Sequence, residues 1–284
     1  MGMVKYNIEK YSTGQLMAIP AILLGLSLVL LAFNMVSTGM PVTPGIEYAG
    51  GYSYTVVTTQ TDDQIRAVFT GYPLSSVKEG PTGKQLQFGP MDEATLAALN
   101  GVVTQNYPDH EAVSSIDATF GSSNQSMAVL ALIISFIGMS VVVFITFRTF
   151  IPSIAVVLSA FADMAMTAAA MNIVGIQLTL GTTAALLMLI GYSVDSDILL
   201  TNRVLKRQGK LPDKLAGAFH TGMIMTSTTF AAITAMFLAS WIGGVTIMWE
   251  ISAVLLIGLA ADVLNTWLTN AAILRWYVQK GGGK

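Results

Sequence analysis

The 284-residue chain contains no cysteine, which excludes structural disulfides, thiolate metal sites and a cysteine nucleophile while leaving the redox compartment open. Charge is scarce too. Only 11% of residues are Asp, Glu, Lys or Arg, against roughly 25% in a soluble domain. A net charge of −2 with no long basic run excludes a nucleic-acid footprint. No metal-ligating pattern, cofactor-binding pattern or set of catalytic residues is assigned. Apolar residues make up 53% of the chain and the mean hydropathy is +0.64, so lipid must be its main solvent.

Long apolar runs carry that excess. The first, about Leu16 to Val36, follows a charged lead from Lys5 to Lys10 and matches one bilayer crossing. It is too long for a signal peptide and no small-residue cleavage site follows it, so it is expected to be retained. Five more follow at about Met127–Phe147, Ile151–Ile173, Leu178–Thr201, Thr221–Trp241 and Trp249–Trp276. A six-span model places eleven Lys and Arg residues on one side and three on the other (Arg66, Lys78 and Lys84). By the positive-inside rule both termini are then cytoplasmic, in a multi-pass protein of the cytoplasmic membrane. Trp241, Trp249, Trp276 and Tyr277 fall at span ends, where aromatic rings favour the headgroup region. Lys206–Phe219, with Pro212 at a helix-start position, is expected to form a short amphipathic helix on the cytoplasmic surface.

Between Glu47 and Asp117 lie nine of the sixteen carboxylates, so a polar domain interrupts the apolar pattern. Its elements read as a strand over Tyr52–Gln60, a helix over Asp62–Thr70, and strands over Pro73–Glu79 and Gln85–Phe88 joined by a turn at Gly80, Pro81 and Gly83. A second helix over Met91–Tyr107 and a strand over Glu111–Phe120 complete a β-α-β-β-α-β order, the ferredoxin-like arrangement. The expected fold is thus an α-helical membrane protein of six transmembrane helices, with one extracytoplasmic α+β domain between spans one and two. Its parts are residues 1–37 (N-terminus and first span), 38–126 (external domain), 127–276 (five-helix region) and 277–284 (tail). Asn124-Gln125-Ser126 matches a glycosylation acceptor, but lies close to the membrane.

The costly residues inside the spans are the informative ones, since an ionisable group at bilayer depth costs about 2.5–3.5 kcal/mol even on insertion scales. Four carboxylates qualify: Asp163 in the third span, Asp195 and Asp197 in the fourth, and Asp262 in the sixth. No Lys or Arg inside the spans is available to pair with them. Burial disfavours a charged carboxyl, so each acid is either a proton-binding group or a neutral acid bonded to a neighbouring helix. Asp195 is the preferred candidate, followed by Asp163, Asp197 and Asp262. Asp197 and Arg203 also lie near enough to a span end to snorkel. His220 could relay protons, with Thr226, Ser227, Thr228 and Thr229 supplying hydroxyls. The sixth span adds Asn265 and Asn270, and Glu250 is expected to complement that helix's N-terminus. An intramembrane aspartyl protease needs two facing aspartates, but no G-x-G-D sequence is present.

Two motifs carry a resemblance. Gly45-Ile46-Glu47-Tyr48-Ala49-Gly50-Gly51 looks like the G-I-D-F-T-G-G signature of SecF, the protein-export subunit of the resistance-nodulation-division superfamily. Ile190-Gly191-Tyr192-Ser193-Val194-Asp195-Ser196-Asp197-Ile198-Leu199, followed by Arg203, resembles that family's I-G-Y-S-x-x-D run. Asp163 falls where bacterial members carry an aspartate, with Ala162 in place of the histidine that commonly precedes it. The family's fourth-span aspartate aligns with Ser196, and Asp195 occupies the position used in SecD. Gly222 stands near the family's fifth-span arginine, a combination that suggests an archaeal-type member. The resemblance implies a partner, SecD, and assistance to the SecY channel through ion or proton flow that helps pull an unfolded polypeptide outward. It leaves open a structural subunit that carries no ions, and a small-molecule exporter of the same superfamily. Gly45, Glu47, Gly50 and Gly51 would form the mechanical junction between first span and external domain, or simply a turn.

Overall fold

The computed structural model describes residues 10–80 and 83–281. Lys5 and Lys284 of the charge count, and Pro81 of the expected turn, lie outside the described residues. Six helices are long and apolar enough to cross a bilayer. They are α1 (Thr13–Thr38), α5 (Ala118–Phe147), α6 (Phe150–Val174), α7 (Leu180–Lys206), α8 (Leu211–Ile242) and the composite Thr246–Gln279. The composite joins α9 (Thr246–Leu264) through a π-helical turn, Asn265–Asn270, to α10 (Ala271–Gln279).

Local chemistry sets the ends. Ser12 and Gln15 form a reciprocal cap on α1, Thr179 and Thr182 another on α7, and Gly39 and Gly175 end α1 and α6 in the left-handed conformation. The residues 206–219 do not form a separate surface helix: α8 starts at Leu211, with Pro212 in its first turn as expected, and runs unbroken to Ile242. In the same way α5 already begins at Ala118, capped by Asp117. The strand expected to reach Phe120 ends at Ile116, because the side chain of Asp117 takes the backbone N–H of Thr119 and starts a helix there.

The bundle has an inner and an outer layer. Helices α6, α7 and α9 pack on one another and are largely buried, whereas α1, α5 and α8 lie outside them with mostly exposed apolar faces. Without a hydrophobic drive in lipid, close backbone approach must hold the inner three, and small residues allow it. A Cβ on Gly258 of α9 would sit 2.5 Å from Leu189 Cδ2 of α7, and Ala155, Ala160, Ala162, Ala165 and Ala169 line the buried side of α6.

Between α1 and α5 lie α2 (Ile46–Ala49), β1 (Gly51–Val56), α3 (Asp62–Val68), β2 (Leu74–Gly80), β3 (Gly83–Phe88), α4 (Glu93–Asn106) and β4 (His110–Ile116). The strands form one antiparallel sheet in the order β2-β3-β1-β4, the ferredoxin-like order. Its core joins Tyr54, Val56, Leu86 and Phe88 of the sheet to Ile65, Phe69, Leu99, Val103 and Tyr107. Asp92 caps α4. Its carboxyl is held below the usual carboxylate range by the side-chain and backbone bonds it takes from Thr95.

Two attachments tie this domain to the bundle. The first is the Gly45–Gly51 run: Gly45 N–H donates to Leu178 O at 2.8 Å, Glu47 Oε2 accepts the backbone N–H of Leu180 at the start of α7, and Tyr48 Oη meets Thr183 Oγ1 at 2.8 Å. The glycines are sterically required there. A Cβ on Gly51 (φ 133°) would lie 2.0 Å from Phe88 O, and one on Gly50 (φ 77°) 2.7 Å from Ala118 Cα. The second attachment is at the sheet's far edge, where Lys78 Nζ lies 2.6 Å from Glu250 Oε1 and Thr246 Oγ1 donates to Glu79 O at 3.0 Å. Glu250 therefore does not serve its own helix terminus; it is buried and paired with the domain. A cleft of about 550 Å³ opens beside this contact, lined by Lys78, Trp241, Trp249, Glu250 and the Gly243–Gly244 turn.

Removing Lys78 leaves Glu250 buried without its cation, at a cost of about 3–5 kcal/mol to that contact. Lys78→Ala should speed hydrogen exchange in β2 and around Thr246 while leaving the Gly45–Gly51 junction protected, and the swap Lys78→Glu with Glu250→Lys should restore protection. Equal exchange in all three proteins would contradict the attachment. Asp92, with its folded pKa depressed, contributes stability above the unfolded value of about 4 and loses it as pH falls through the folded value. Asp92→Ala should thus weaken the first turn of α4 at neutral pH and remove that part of its acid sensitivity, as read by amide exchange.

Candidate functional site

Three of the four carboxylates picked out in the spans meet in one buried network, and the fourth does not. Asp163 on α6 accepts from Ser193 Oγ of α7 at 2.5 Å and from Asn265 Nδ2 at 2.6 Å. Asp262 on α9 accepts from Ser196 Oγ at 2.9 Å and from Thr266 Oγ1 at 3.1 Å. Asp197 on α7 accepts through Oδ1 from Thr266 Oγ1 at 2.8 Å and Asn270 Nδ2 at 2.7 Å. The residues come from the three inner helices and are almost wholly shielded: Asp163 and Asp197 are 0% exposed and Asp262 2%. Asp197 does not snorkel.

Helical periodicity explains the convergence. Asp262, Asn265, Thr266, Thr269 and Asn270 follow a three-and-four spacing that keeps them on one face, and Ser193, Ser196 and Asp197 do the same on α7. The π-helical turn covers Asn265 to Asn270, so every sixth-span donor to the acids lies in a widened stretch of helix, a feature often found at functional sites.

Among the described residues no Lys, Arg or His side chain pairs with the network; the ion pairs join Lys78 to Glu250 and Lys84 to Asp62 and Glu79, and none involves these three acids. Its hydroxyls are also fewer than its acceptors. Thr266 Oγ1 has one proton to give and lies within bonding distance of both Asp197 Oδ1 and Asp262 Oδ1, while Ser196 Oγ is shared between Asp262 and Ser193 O. Adding or removing one proton on an acid therefore changes which hydroxyl points to which helix.

Asp195, the preferred candidate from sequence, lies outside this network. It is exposed on the outer side of α7 with Gly191 and Tyr192, because two residues along a helix turn a side chain through about 200° from its neighbour Asp197. His220 is likewise exposed on α8. Among the described residues, Thr226, Ser227, Thr228 and Thr229 make no hydrogen bond to the acids, and Thr228 bonds back to Met225 O at 2.8 Å. Nothing in the sequence marks Ser159 or Thr266 as partners of the acids; Ser193 and Ser196 stand out there only as part of the fourth-span motif, Ser196 where the resemblance leads one to expect an aspartate. Asp262 supplies a carboxylate to that same place from the facing helix.

Gly222 has a steric reason. A Cβ there would lie 2.3 Å from Trp267 Cζ2, and the Trp267 ring also packs edge-on against Phe219 at 5.1 Å between centroids. Indole from the sixth span fills the space a fifth-span side chain would need. Arg203 of α7 reaches the same helix lower down, donating to Thr221 Oγ1 at 2.7 Å.

A bundle of six apolar helices with an acid network among its three central members, and one ferredoxin-like domain inserted after the first, defines a multi-span membrane protein whose ionisable groups are buried between helices. Comparison with known proteins makes this specific. Residues 97–280 match the family described as protein export membrane protein SecD/SecF, C-terminal. The chain is 51% identical over 282 residues to the protein-export membrane protein SecF of Methanolacinia petrolearia, covering 99% of this chain and 100% of that one. It is 40% identical over 275 residues to SecF of Haloferax volcanii, covering 97% and 96%. The crystal structure of SecDF from Thermus thermophilus superposes with a TM-score of 0.74 at 17% identity over 94% of this chain and 38% of that one; a super-membrane-facing form of SecDF gives 0.62, over 99% and 40%. The chain thus spans about two fifths of the solved SecDF chains. This chain belongs to the SecF family of protein-export membrane proteins.

The contact at Gly222 yields a double-mutant test. Gly222→Val should destabilise the purified protein by about 1–3 kcal/mol, and Trp267→Ala added to it should recover part of the loss, so that the two changes are non-additive in thermal unfolding. Strict additivity would show that the two residues do not touch.

Proposed function

We propose that the chain is the SecF half of a two-subunit export machine that pairs with SecD, assists a SecY-type channel and uses an ion or proton gradient to help draw an unfolded polypeptide across the membrane. The observation that carries the coupling role is the network of Asp163, Asp197 and Asp262 between α6, α7 and α9, to which no basic side chain among the described residues is paired. A buried acid whose charge changes biases two packings of the helices that hold it. One of those helices runs straight to the external domain: Thr183, bonded to Tyr48, and Asp197 lie on the same α7, about 21 Å apart at 1.5 Å per residue. A shift of α7 at the acids would be delivered to the Gly45–Gly51 junction without an intervening loop.

With eleven basic residues on one side, both termini are read as cytoplasmic and residues 38–126 as extracytoplasmic, in the cytoplasmic membrane. Asp195 then has a different use. A carboxylate on the outward face of α7, beside half-exposed Tyr192 and Met188, is costly against lipid, and a neighbouring subunit would cover it. The partner that fits is SecD, and the solved SecDF chains are long enough to contain a second half. We read the chain as a transport component without enzymatic activity, in keeping with the protein-export membrane subunits it resembles and with a sequence that carries no G-x-G-D run.

Export of a preprotein into inverted vesicles containing SecD and this chain, with and without an ion gradient, tests the assignment. Asp163→Asn, Asp197→Asn and Asp262→Asn should each cut the gradient-dependent part of export at least tenfold in complexes that still assemble. Asp195→Asn should instead lower the yield of complex with SecD. If all four variants export normally with gradient dependence intact, the chain is a structural subunit and the ion path lies in its partner.

A further inference from the structure

The chain between α1 and the Gly45–Gly51 junction is bonded along its length to the bundle. Asn34, near the end of α1, donates through Nδ2 to Met40 O at 3.2 Å and to Pro41 O at 3.1 Å. Asn172, near the end of α6, donates to Pro41 O at 2.8 Å and accepts the backbone N–H of Thr43 at 3.1 Å. Leu178, just before α7, takes the next step: its N–H donates to Thr43 O at 2.8 Å, and a parallel bridge joins it to Pro44. Between these bonds Met40 and Val42 are buried in the same apolar cluster as Met171, Ile176 and Leu178. A loop ordinarily gives its backbone groups to water, whereas these are taken by side chains and backbone of the bundle. Pro41 and Pro44, whose rings fix φ, stiffen the stretch further. It is a strap and not a slack tether.

The position of Asn172 demands an amide. It stands between a carbonyl, which can only accept, and an N–H, which can only donate. A carboxylate would answer only the second and an ammonium only the first, whereas the amide answers both, and the N–H of Thr43 fixes which end of it is oxygen. Asn34 meets carbonyls of the strap only, at longer distances, and its nitrogen also lies 3.5 Å from Asn172 Oδ1. The two helices thus hold the strap differently. Chain connectivity hangs the external domain from α1, an outer helix, while Asn172 and Leu178 bind its linker to α6 and the start of α7. Asn172 also shares α6 with Asp163, about 14 Å away along the axis at 1.5 Å per residue.

We propose that Asn172 is a positioning residue that fastens the linker of the external domain to the α6–α7 hairpin, so that the domain follows the inner layer of the bundle and not the span that precedes it in sequence. The proposal rests on the ion-coupling reading above and names a second path, along α6, by which a shift at the acids reaches the domain. Without the amide the strap stays held at Gly45 but is released at Pro41 and Thr43. Part of any displacement of α6 is then lost as slack.

The test uses the full chain with SecD in inverted vesicles, reading export with and without an ion gradient, yield of the complex, and hydrogen exchange at Thr43. Asn172→Ala should speed exchange at Thr43 roughly tenfold while Gly45 stays protected. It should cut the gradient-dependent part of export about fivefold, with gradient-independent export and complex yield unchanged. Asn34→Ala should cost the gradient-dependent part less than about twofold. Because the chain has no cysteine, Thr43→Cys with Asn172→Cys can be joined by oxidation; the joined pair should recover gradient dependence and the reduced pair should behave as Asn172→Ala does. Unchanged exchange at Thr43, full gradient dependence in Asn172→Ala, an equal loss in Asn34→Ala, a loss that only follows the yield of complex, or no recovery in the joined pair each overturns the proposal. Asp163→Asn separates it from the broader reading. If that variant also keeps its gradient dependence, the ion-coupling reading itself fails; if it loses gradient dependence and Asn172→Ala does not, only the path through the strap falls.

Discussion

Three carboxylates that share a buried space, with no basic side chain among the described residues paired to them, are the constraint on which the rest of this molecule depends. Desolvating even one costs several kcal/mol unless donors, a proton or an ion replace the lost hydration. The inner helices are arranged to supply the donors. Ser193 and Ser196 on α7, and Asn265, Thr266 and Asn270 on the sixth span, face the acids because helical spacing puts them on the apposed sides. Alanine and glycine elsewhere on these surfaces let the backbones approach closely enough for short side chains to reach.

The outer parts then acquire distinct tasks. Helices α1, α5 and α8 shield the inner three and carry most of the lipid-facing surface, so they have little of the polar machinery. The external domain is held at two places of different character. The Gly45–Gly51 junction is backbone bonding and glycine-dependent close contact at the start of α7, which cannot loosen without separating whole elements. The opposite edge relies on one ion pair and one hydroxyl bond beside an open cleft. The two attachments therefore differ in strength, and the firmer one lies at the start of α7.

Much of this was legible in the residues. Six apolar runs announced six spans, the change to short polar elements announced the inserted domain, and β-α-β-β-α-β followed from turn and periodicity signals at Asp62–Thr70, Gly80–Gly83 and Met91–Tyr107. Element ends were less legible where polar residues begin a membrane helix, as at Ala118–Ser126, or where a helix starts before its apolar stretch, as at Leu211. Hydropathy marks where lipid is, not where hydrogen bonding begins.

The candidate site divides along the same line. Sequence by itself determined that carboxylates would be buried without basic partners, since an acid in an apolar run is visible as composition and so is the lack of Lys or Arg beside it. It marked the Gly45–Gly51 run as a junction or a turn, and the close contacts and positive φ angles at Gly50 and Gly51 came only with the structure. Only the tertiary structure decided which acids act together. Asp195 and Asp197 are two residues apart and similar in sequence context, yet one faces outward and the other inward, and the choice rests on how α7 is rotated against α6 and α9. That rotation is a property of the packed bundle: it is settled by contacts such as Gly258 of α9 with Leu189 of α7 and Ser193 of α7 with Asp163 of α6, between residues far apart along the chain.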